Sequence, residues 1–235
     1  MARSPTRRER LRAEMFGQIN GNARLLLRGG GAPAVSLRAI AREIGVTPAA
    51  IYRYYPNLQA LIDALHEDIL GELVTRIEFV RDQHPGDGAE VRIAEMARAF
   101  RRWALGHPAE FWLALGPDSP GRTGLAGATG PAAIRVPRLV VVFLDEFARL
   151  RQQAPARASA AGPARDLTRV HVRTAPPARS LDVPLPVILS FASAWARLYG
   201  LVAMEISGQV PWPRAMADAL FEAELTGLGH PPGSW

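Results

Sequence analysis

The chain has no cysteine and no lysine. Without a thiol there is no disulfide, no thiolate nucleophile and no cysteine-held zinc. Without lysine there is no phosphate-binding loop of the kind that ends on that residue. Other marks of catalysis are missing too. There is no nucleophile elbow and no His-Glu-x-x-His, and His66, His84, His107, His171 and His230 lie scattered without metal-ligand spacing. The glycines at 121, 124, 127 and 130 follow no strand and carry no dinucleotide fingerprint. These absences exclude the common enzyme classes and imply neither cofactor nor metal. Strands are also scarce, since no period-2 run is flanked by hairpin signals. The basic start, 1–10, has no apolar run behind it, so no secretory leader is expected and the cytoplasm is the expected compartment. The most membrane-like stretch, 187–204, carries Arg197 at its middle. A charge there is costly in lipid, so the stretch reads as a buried protein helix rather than a membrane span.

What is present is arginine, and it is unevenly placed. All 28 basic residues are Arg, and the chain carries a net charge of +6. Residues 1–60 hold ten Arg against Glu9, Glu14 and Glu43, a net of +7, whereas 61–235 hold 18 Arg against 19 acids, a net of −1. A positive balance confined to one end is what phosphate neutralisation requires. Genome composition explains Arg in place of Lys, but not this asymmetry. At 235 residues with 48% apolar content, one or two domains with a sizeable core are expected.

The basic end contains the run Ser36-Leu-Arg-Ala-Ile-Ala-Arg-Glu-Ile-Gly-Val-Thr-Pro-Ala-Ala-Ile-Tyr-Arg-Tyr-Tyr55. Leu37, Ile40, Ala41 and Ile44 follow the i, i+3, i+4, i+7 spacing of one buried helical face. Ser36 is the expected N-cap and Gly45 the expected stop. Thr47 then caps a second helix whose first position is Pro48, where a missing N–H costs nothing. Two short helices across a tight glycine turn make a helix-turn-helix, whose second helix enters a DNA groove. A helix over 48–55 would be about 12 Å long, a fit to the major groove. Ile51 and Tyr55 are then expected to face inward, and Thr47, Pro48, Ala49, Tyr52 and Arg53 outward.

Helical periodicity covers most of the remainder. A first helix over 7–27 carries Leu11, Met15, Ile19, Ala23 and Leu26. Asn57 is expected to cap a long helix through Leu61, Leu65, Ile69, Leu73 and Ile77. Helices follow over 89–106, from Pro108, over 138–152, over 185–208 and over 213–225. The stretches 116–131 and 154–184 lack periodicity and read as flexible loops. Ile188, Phe191, Trp195, Leu198, Val202 and Glu205 form a seam at 3-4 spacing, while Val187, Ala194 and Leu201 make another side apolar. A helix buried on two sides suits one that also meets a partner subunit. Phe191, Trp195, Leu198 and Val202 are therefore the expected homodimer interface. The expected architecture is all-α: a three-helix DNA-binding domain over 1–56, then a helical-bundle domain over 57–235.

The segment from Ile19 to Leu65 resembles the tetracycline-repressor (TetR) family, through the run quoted above and Pro56-Asn-Leu-Gln-Ala-Leu-Ile62. Leu58 stands where the family usually has a Lys that reaches a DNA phosphate. Trp103, the Gly106-His107-Pro108 step with Phe111, and Tyr199-Gly-Leu-Val-Ala-Met-Glu205 resemble the WHG-type ligand-binding domain of one branch, with Tyr199 in place of a usual His. The resemblance implies a homodimeric regulator that binds a palindromic double-stranded operator and answers to a small-molecule effector. It implies phosphate contacts from Tyr52, Tyr54, Ser36 and Thr47, with Arg38 on the same motif. Ala49 is placed to meet a thymine methyl, and Arg53 a guanine edge or a phosphate. Arg7 and Arg8, with Arg3, Arg10 and Arg12, form an expected basic arm on the DNA backbone or minor groove. Met96, Phe100, Trp103, Phe111, Trp112, Phe143, Phe147 and Tyr199 are the expected effector-pocket walls, although each taken singly reads as core before pocket. The competing readings are a non-specific architectural DNA-binding protein and a helical ligand-binding protein with a degenerate head.

Overall fold

A computed structural model describes residues 6–120, 134–135, 137–153, 169–173, 180–209 and 211–227. Their order is α1 (Arg7–Gly30), a 3₁₀ turn (Ala32–Ala34), α2 (Leu37–Glu43), α3 (Pro48–Ile51), α4 (Leu58–Asp82), α5 (Ala89–Gly106), α6 (Pro108–Leu115), β1 (Ile134–Arg135), α7 (Arg138–Gln153), β2 (Arg169–Arg173), β3 (Ser180–Pro184), α8 (Leu185–Ser207) and α9 (Arg214–Gly227). The fold is helical, as the periodicity predicts. A small sheet is the addition: β2 pairs with β1 in parallel and with β3 antiparallel, with Val170 opposite Val183. Two of these strands fall inside 154–184, which the missing helical period marks as a loop. The rest of that stretch, 154–168 and 174–179, lies outside the described residues, as does 121–131 of the glycine-bearing loop.

The chain divides into two compact units, Met1–Ile69 with His107–Pro120, and Leu70–Gly106 with Gly121–Trp235. The division expected after residue 56 is therefore displaced. The first unit takes in the first half of α4 and recovers α6 from beyond α5. In that unit Ile19, Ala23 and Leu27 of α1, Leu37, Ile40 and Ala41 of α2, Ile51 of α3, and Leu61, Leu65 and Ile69 of α4 are buried. The buried stripe of α1 steps by four to Leu27, whereas Leu11, expected on that stripe, is exposed. Asn57 caps α4 as expected, its Oδ1 accepting from the Ala60 N–H at 2.8 Å.

In the second unit α5 packs on α7 and α8, and α8 on α9. Met96, Ala97, Phe100, Leu139, Val142 and Val202 are at its centre. Glu146 of α7, set within an apolar stripe, is fully buried and is held by Arg92 Nε and Arg149 Nη1, each at 2.9 Å. A buried carboxylate is tolerable only when paired in this way.

Candidate DNA-binding face and C-terminal core

The helix-turn-helix is built as its residues dictate. Ser36 Oγ accepts from the Ala39 N–H at 3.1 Å and starts α2. Gly45 has φ of 70°, a left-handed conformation that a Cβ disfavours, and this lets the Val46 N–H return to the Ala41 carbonyl at 2.9 Å. Thr47 follows as the N-cap of α3 but makes no side-chain capping bond. Regular α-helix lasts only from Pro48 to Ile51, shorter than the eight residues expected. Beyond it the turn tightens: the Arg53 N–H reaches Ala50 at 3.3 Å and the Tyr54 N–H reaches Ile51 at 2.8 Å, both three residues back. Ile51 and Tyr55 are buried. Arg38, Thr47, Pro48, Ala49 and Arg53 are exposed, and so is Tyr52 at 52%. Leu58 is exposed as well, at 40%.

Tyr54 is half-buried rather than free. Its ring meets Phe16 of α1 edge-on at 5.1 Å, Tyr55 meets the same ring at 5.6 Å, and the Arg12 guanidinium lies 5.6 Å from the Phe16 centroid. The Tyr55 hydroxyl donates to Asn20 Oδ1 at 2.7 Å, and Asn20 Nδ2 donates to Asp68 Oδ2 of α4 at 2.9 Å. Burial pushes the Tyr55 phenol up, while the Asn20 bond opposes this, so it remains a donor at neutral pH. Of the expected basic arm, Arg7, Arg8, Arg10 and Arg12 lie exposed on the first turns of α1, and Arg3 lies outside the described residues. Thr6 and Glu9 close that helix with a capping box, the Thr6 N–H bonding Glu9 Oε2 at 2.6 Å. The same Thr6 bonds hold the Glu9 carboxyl below its ordinary range.

Two buried polar contacts fix the returning α6 segment within the first unit. Glu110, which no sequence motif singles out, is buried, with Oε1 at 2.8 Å from Arg28 Nη2 and 3.7 Å from Arg24 Nε of α1. His66 of α4 is buried with Nε2 at 3.0 Å from Ser119 Oγ, which itself donates to the Ala114 carbonyl at 2.8 Å. Burial pulls the His66 imidazole down against the upward influence of Glu67 and Asp63. Phe111 and Trp112 belong to this unit, with Phe111 buried and touching Trp112 at 5.1 Å.

The other six pocket candidates belong to the second unit. Met96, Phe100, Trp103, Phe143 and Phe147 are buried there, and Tyr199 is half-buried. Phe100, Phe143 and Trp195 form a mutual cluster at 5.3 to 6.5 Å, Trp195 stacks on Phe191 at 6.1 Å, and Phe191 meets Phe147 at 5.7 Å. This corrects the expected interface. Phe191, Leu198 and Val202 are buried within a single chain and Trp195 is joined to the same core, so this seam faces inward. The exposed side of α8 carries Leu189, Ala192 and Ala196, and that of α9 carries Met216, Ala219 and Ala223. Arg101 of α5 ties both helices, reaching Glu205 at 2.7 Å and Asp218 at 2.6 Å, and lies 4.9 Å from the Phe221 ring centroid. A groove of about 330 Å³ beside it is lined by Leu105, Glu205, Trp212, Arg214 and Ala217, none of them a pocket candidate. By length and composition α8 could cross a membrane, but Arg197 at its centre pairs with Glu224 at 2.8 Å.

Spacing alone does not reveal Phe16, Asn20, Glu110 or Ser119, because each acts across elements far apart in sequence. The nearest signal is Arg24 and Arg28, an i, i+4 pair on α1 that lacks an acid on its own helix face.

A small helical unit that presents a helix-turn-helix with an exposed second helix is a DNA-binding head. Comparison with known proteins extends this. Residues 22–65 match the bacterial regulatory proteins of the tetR family, and residues 93–228 match the tetracyclin repressor-like C-terminal domain. The chain is 30% identical over 190 residues to the HTH-type transcriptional regulator Rv1816 of Mycobacterium tuberculosis, spanning 76% of this chain and 75% of that one. Its fold is shared with the regulatory protein SCO4313 (TM-score 0.62, 24% identity, 96% of this chain and 98% of that one). It is shared also with FadR of Bacillus subtilis, solved with stearoyl-CoA (TM-score 0.56, 14% identity, 90% of this chain and 98% of that one). The chain belongs to the TetR family of transcriptional regulators. It is a transcriptional regulator with a DNA-binding head and a tetracyclin repressor-like C-terminal domain, and the family is one of regulators, not enzymes.

Proposed function

We propose that the chain is a ligand-responsive repressor that binds a palindromic operator as a homodimer in the cytoplasm and is released by a small lipophilic effector. The observation that carries this reading is the exposed face of Thr47, Pro48, Ala49, Tyr52 and Arg53 above buried Ile51 and Tyr55. That face lies on the end of the chain that holds the whole positive balance. Thr47, which makes no side-chain cap, and exposed Tyr52 donate to phosphates in this reading, as do Ser36 and exposed Arg38 at the start of α2. Arg7 and Arg8 add exposed cations from the first turn of α1.

One head covers few base pairs. A twofold pair places two heads about 34–36 Å apart on a palindrome. The surface that suits this pairing is the exposed apolar side of α8 and α9, Leu189, Ala192, Ala196, Met216, Ala219 and Ala223, because small residues let two copies approach closely. The aromatic cluster of the second unit supports a lipophilic effector, and the stearoyl-CoA complex of the structurally similar FadR points the same way. Such a ligand acts only by binding the DNA-competent and DNA-incompetent states unequally, with α4 as the element that begins in one unit and ends in the other.

The test is binding to the promoter region beside the chain's own gene, against random duplex, across a salt series. Sequence-dependent binding with two symmetric half-site footprints is expected. Equal binding to both duplexes would favour the architectural reading instead.

A further inference from the structure

We propose that Asn20 is a positioning residue that transmits the setting of α4 to the DNA-reading turn through Tyr55, an inference that rests on the regulator reading above. The physical chain is short. Asp68 of α4 accepts from Asn20 Nδ2 at 2.9 Å, and Asn20 Oδ1 accepts from the Tyr55 hydroxyl at 2.7 Å. The Tyr55 N–H is bonded at 3.0 Å to the carbonyl of Ile51, the last residue of α3. Three groups, from α1, from α4 and from the end of the reading turn, are thus joined in series.

The direction of each bond is set by its partners. A carboxylate can only accept, so the Asn20 amide must turn its NH₂ toward Asp68 and its carbonyl toward the phenol. Rotating the amide would place two acceptors face to face. The link is also stiff, since hydrogen bonds weaken steeply outside a narrow range of length and angle. On the other side, α3 is a single turn of helix, which has no stability of its own and takes its orientation from its anchors. Those anchors are Ile51 and Tyr55, and Tyr55 is the one held by a directional bond as well as by packing on Phe16. Asp68 lies one residue before the end of the α4 portion that belongs to the first unit. A shift of α4 at this point pulls on the amide, and the amide pulls on the reading turn.

The relay can be inverted without changing the net charge. Asn20→Asp alone removes the donor and sets two carboxylates together. Asn20→Asp combined with Asp68→Asn restores both bonds, because the carboxylate introduced on α1 accepts from the phenol and from the amide introduced on α4. The full-length chain is titrated with the duplex it selects from a random-sequence pool and with unselected duplex. Asn20→Asp adds a negative charge that lowers affinity for every duplex alike, so the readout is the ratio of selected to unselected affinity. That ratio is expected to fall roughly tenfold or more in Asn20→Asp and about three- to tenfold in Tyr55→Phe, which changes no charge. In the double variant it is expected to return to within about threefold of the wild type. Tyr55→Phe also keeps the test open should Asn20→Asp fail to fold. A wild-type ratio in Tyr55→Phe, or a double variant as low as Asn20→Asp, overturns the relay while leaving the regulator reading intact. A ratio near one in the wild-type chain overturns both.

Discussion

Gly45 and His66 show how much of the head depends on single residues. Gly45 holds the turn at φ of 70° with open space around the missing Cβ, so the cost of a side chain there is conformational rather than steric. Gly45→Ala is expected to lower unfolding free energy by about 1–2 kcal/mol, measured by urea denaturation, and an unchanged midpoint would show that the turn relaxes. His66 makes a different prediction. Its folded pKa lies below the ordinary value because burial disfavours the imidazolium. The unfolded chain therefore takes up the proton first. The contribution of His66 is complete above about pH 6.5 and is lost as pH falls below that value toward the folded pKa. His66→Gln keeps a group that can bond Ser119 but removes the titration. Between pH 7.5 and 5.5 the denaturation midpoint should fall further in the wild type than in this variant. Parallel losses would place the acid sensitivity elsewhere.

At the scale of elements, α5 is held to α8 and α9 by arginines rather than by apolar contact alone. Arg101 bonds two carboxylates on separate helices and covers Phe221, and Arg98 bonds Glu222 at 2.5 Å. Arg101→Ala is expected to destabilise the chain by about 1–3 kcal/mol. Arg101→Lys should recover less than half of this, because an ammonium cannot make the paired bonds to Glu205. Full recovery by Lys in thermal unfolding would show that charge alone suffices. How far these elements are readable from sequence follows the range of the forces that make them. Ser36, Gly45 and Asn57 act on backbone groups within a few residues, and each holds the end its chemistry announces. Periodicity locates α4 and α5 because their buried residues repeat along one helix. It places the α8 seam correctly but not its destination, since whether Phe191 and Trp195 face their own core or a second copy is decided by α5 and α7. The α3 boundary is missed because its tightening after Ile51 depends on Tyr55 seating against α1. The β2 strand is visible afterwards as alternation, Arg169-Val-His-Val-Arg173, but five residues without a turn signal do not stand out beforehand. Glu110 and Asn20 leave no local trace, as their partners lie 82 and 48 residues away in the chain.

For the whole molecule, charge and association make the predictions. If exposed α8 and α9 faces join two copies, Ala196→Glu puts a like-charge pair and a large side chain into a small-residue surface. Sedimentation should then show monomer at micromolar concentration where the wild type is dimeric, with helical content preserved. A variant that stays dimeric would move the interface away from α8. Arg53→Ala should lower operator affinity and, where the guanidinium meets phosphate, reduce the salt slope by about one unit. An unchanged slope with relaxed sequence preference would instead mark Arg53 as a reader of a base edge.

The return of α6 to the first unit has a consequence for how such a chain can change. Its head is encoded in two separated stretches of the gene, with all of α5 between them. Joining residues 1–69 to a foreign sensor by one recombination event would strand Arg28 without Glu110 and His66 without Ser119. Shuffling therefore meets a barrier at this seam. New operator preference in this lineage is reached more cheaply by point substitution on the outward face from Thr47 to Arg53, where no buried partner has to change in step.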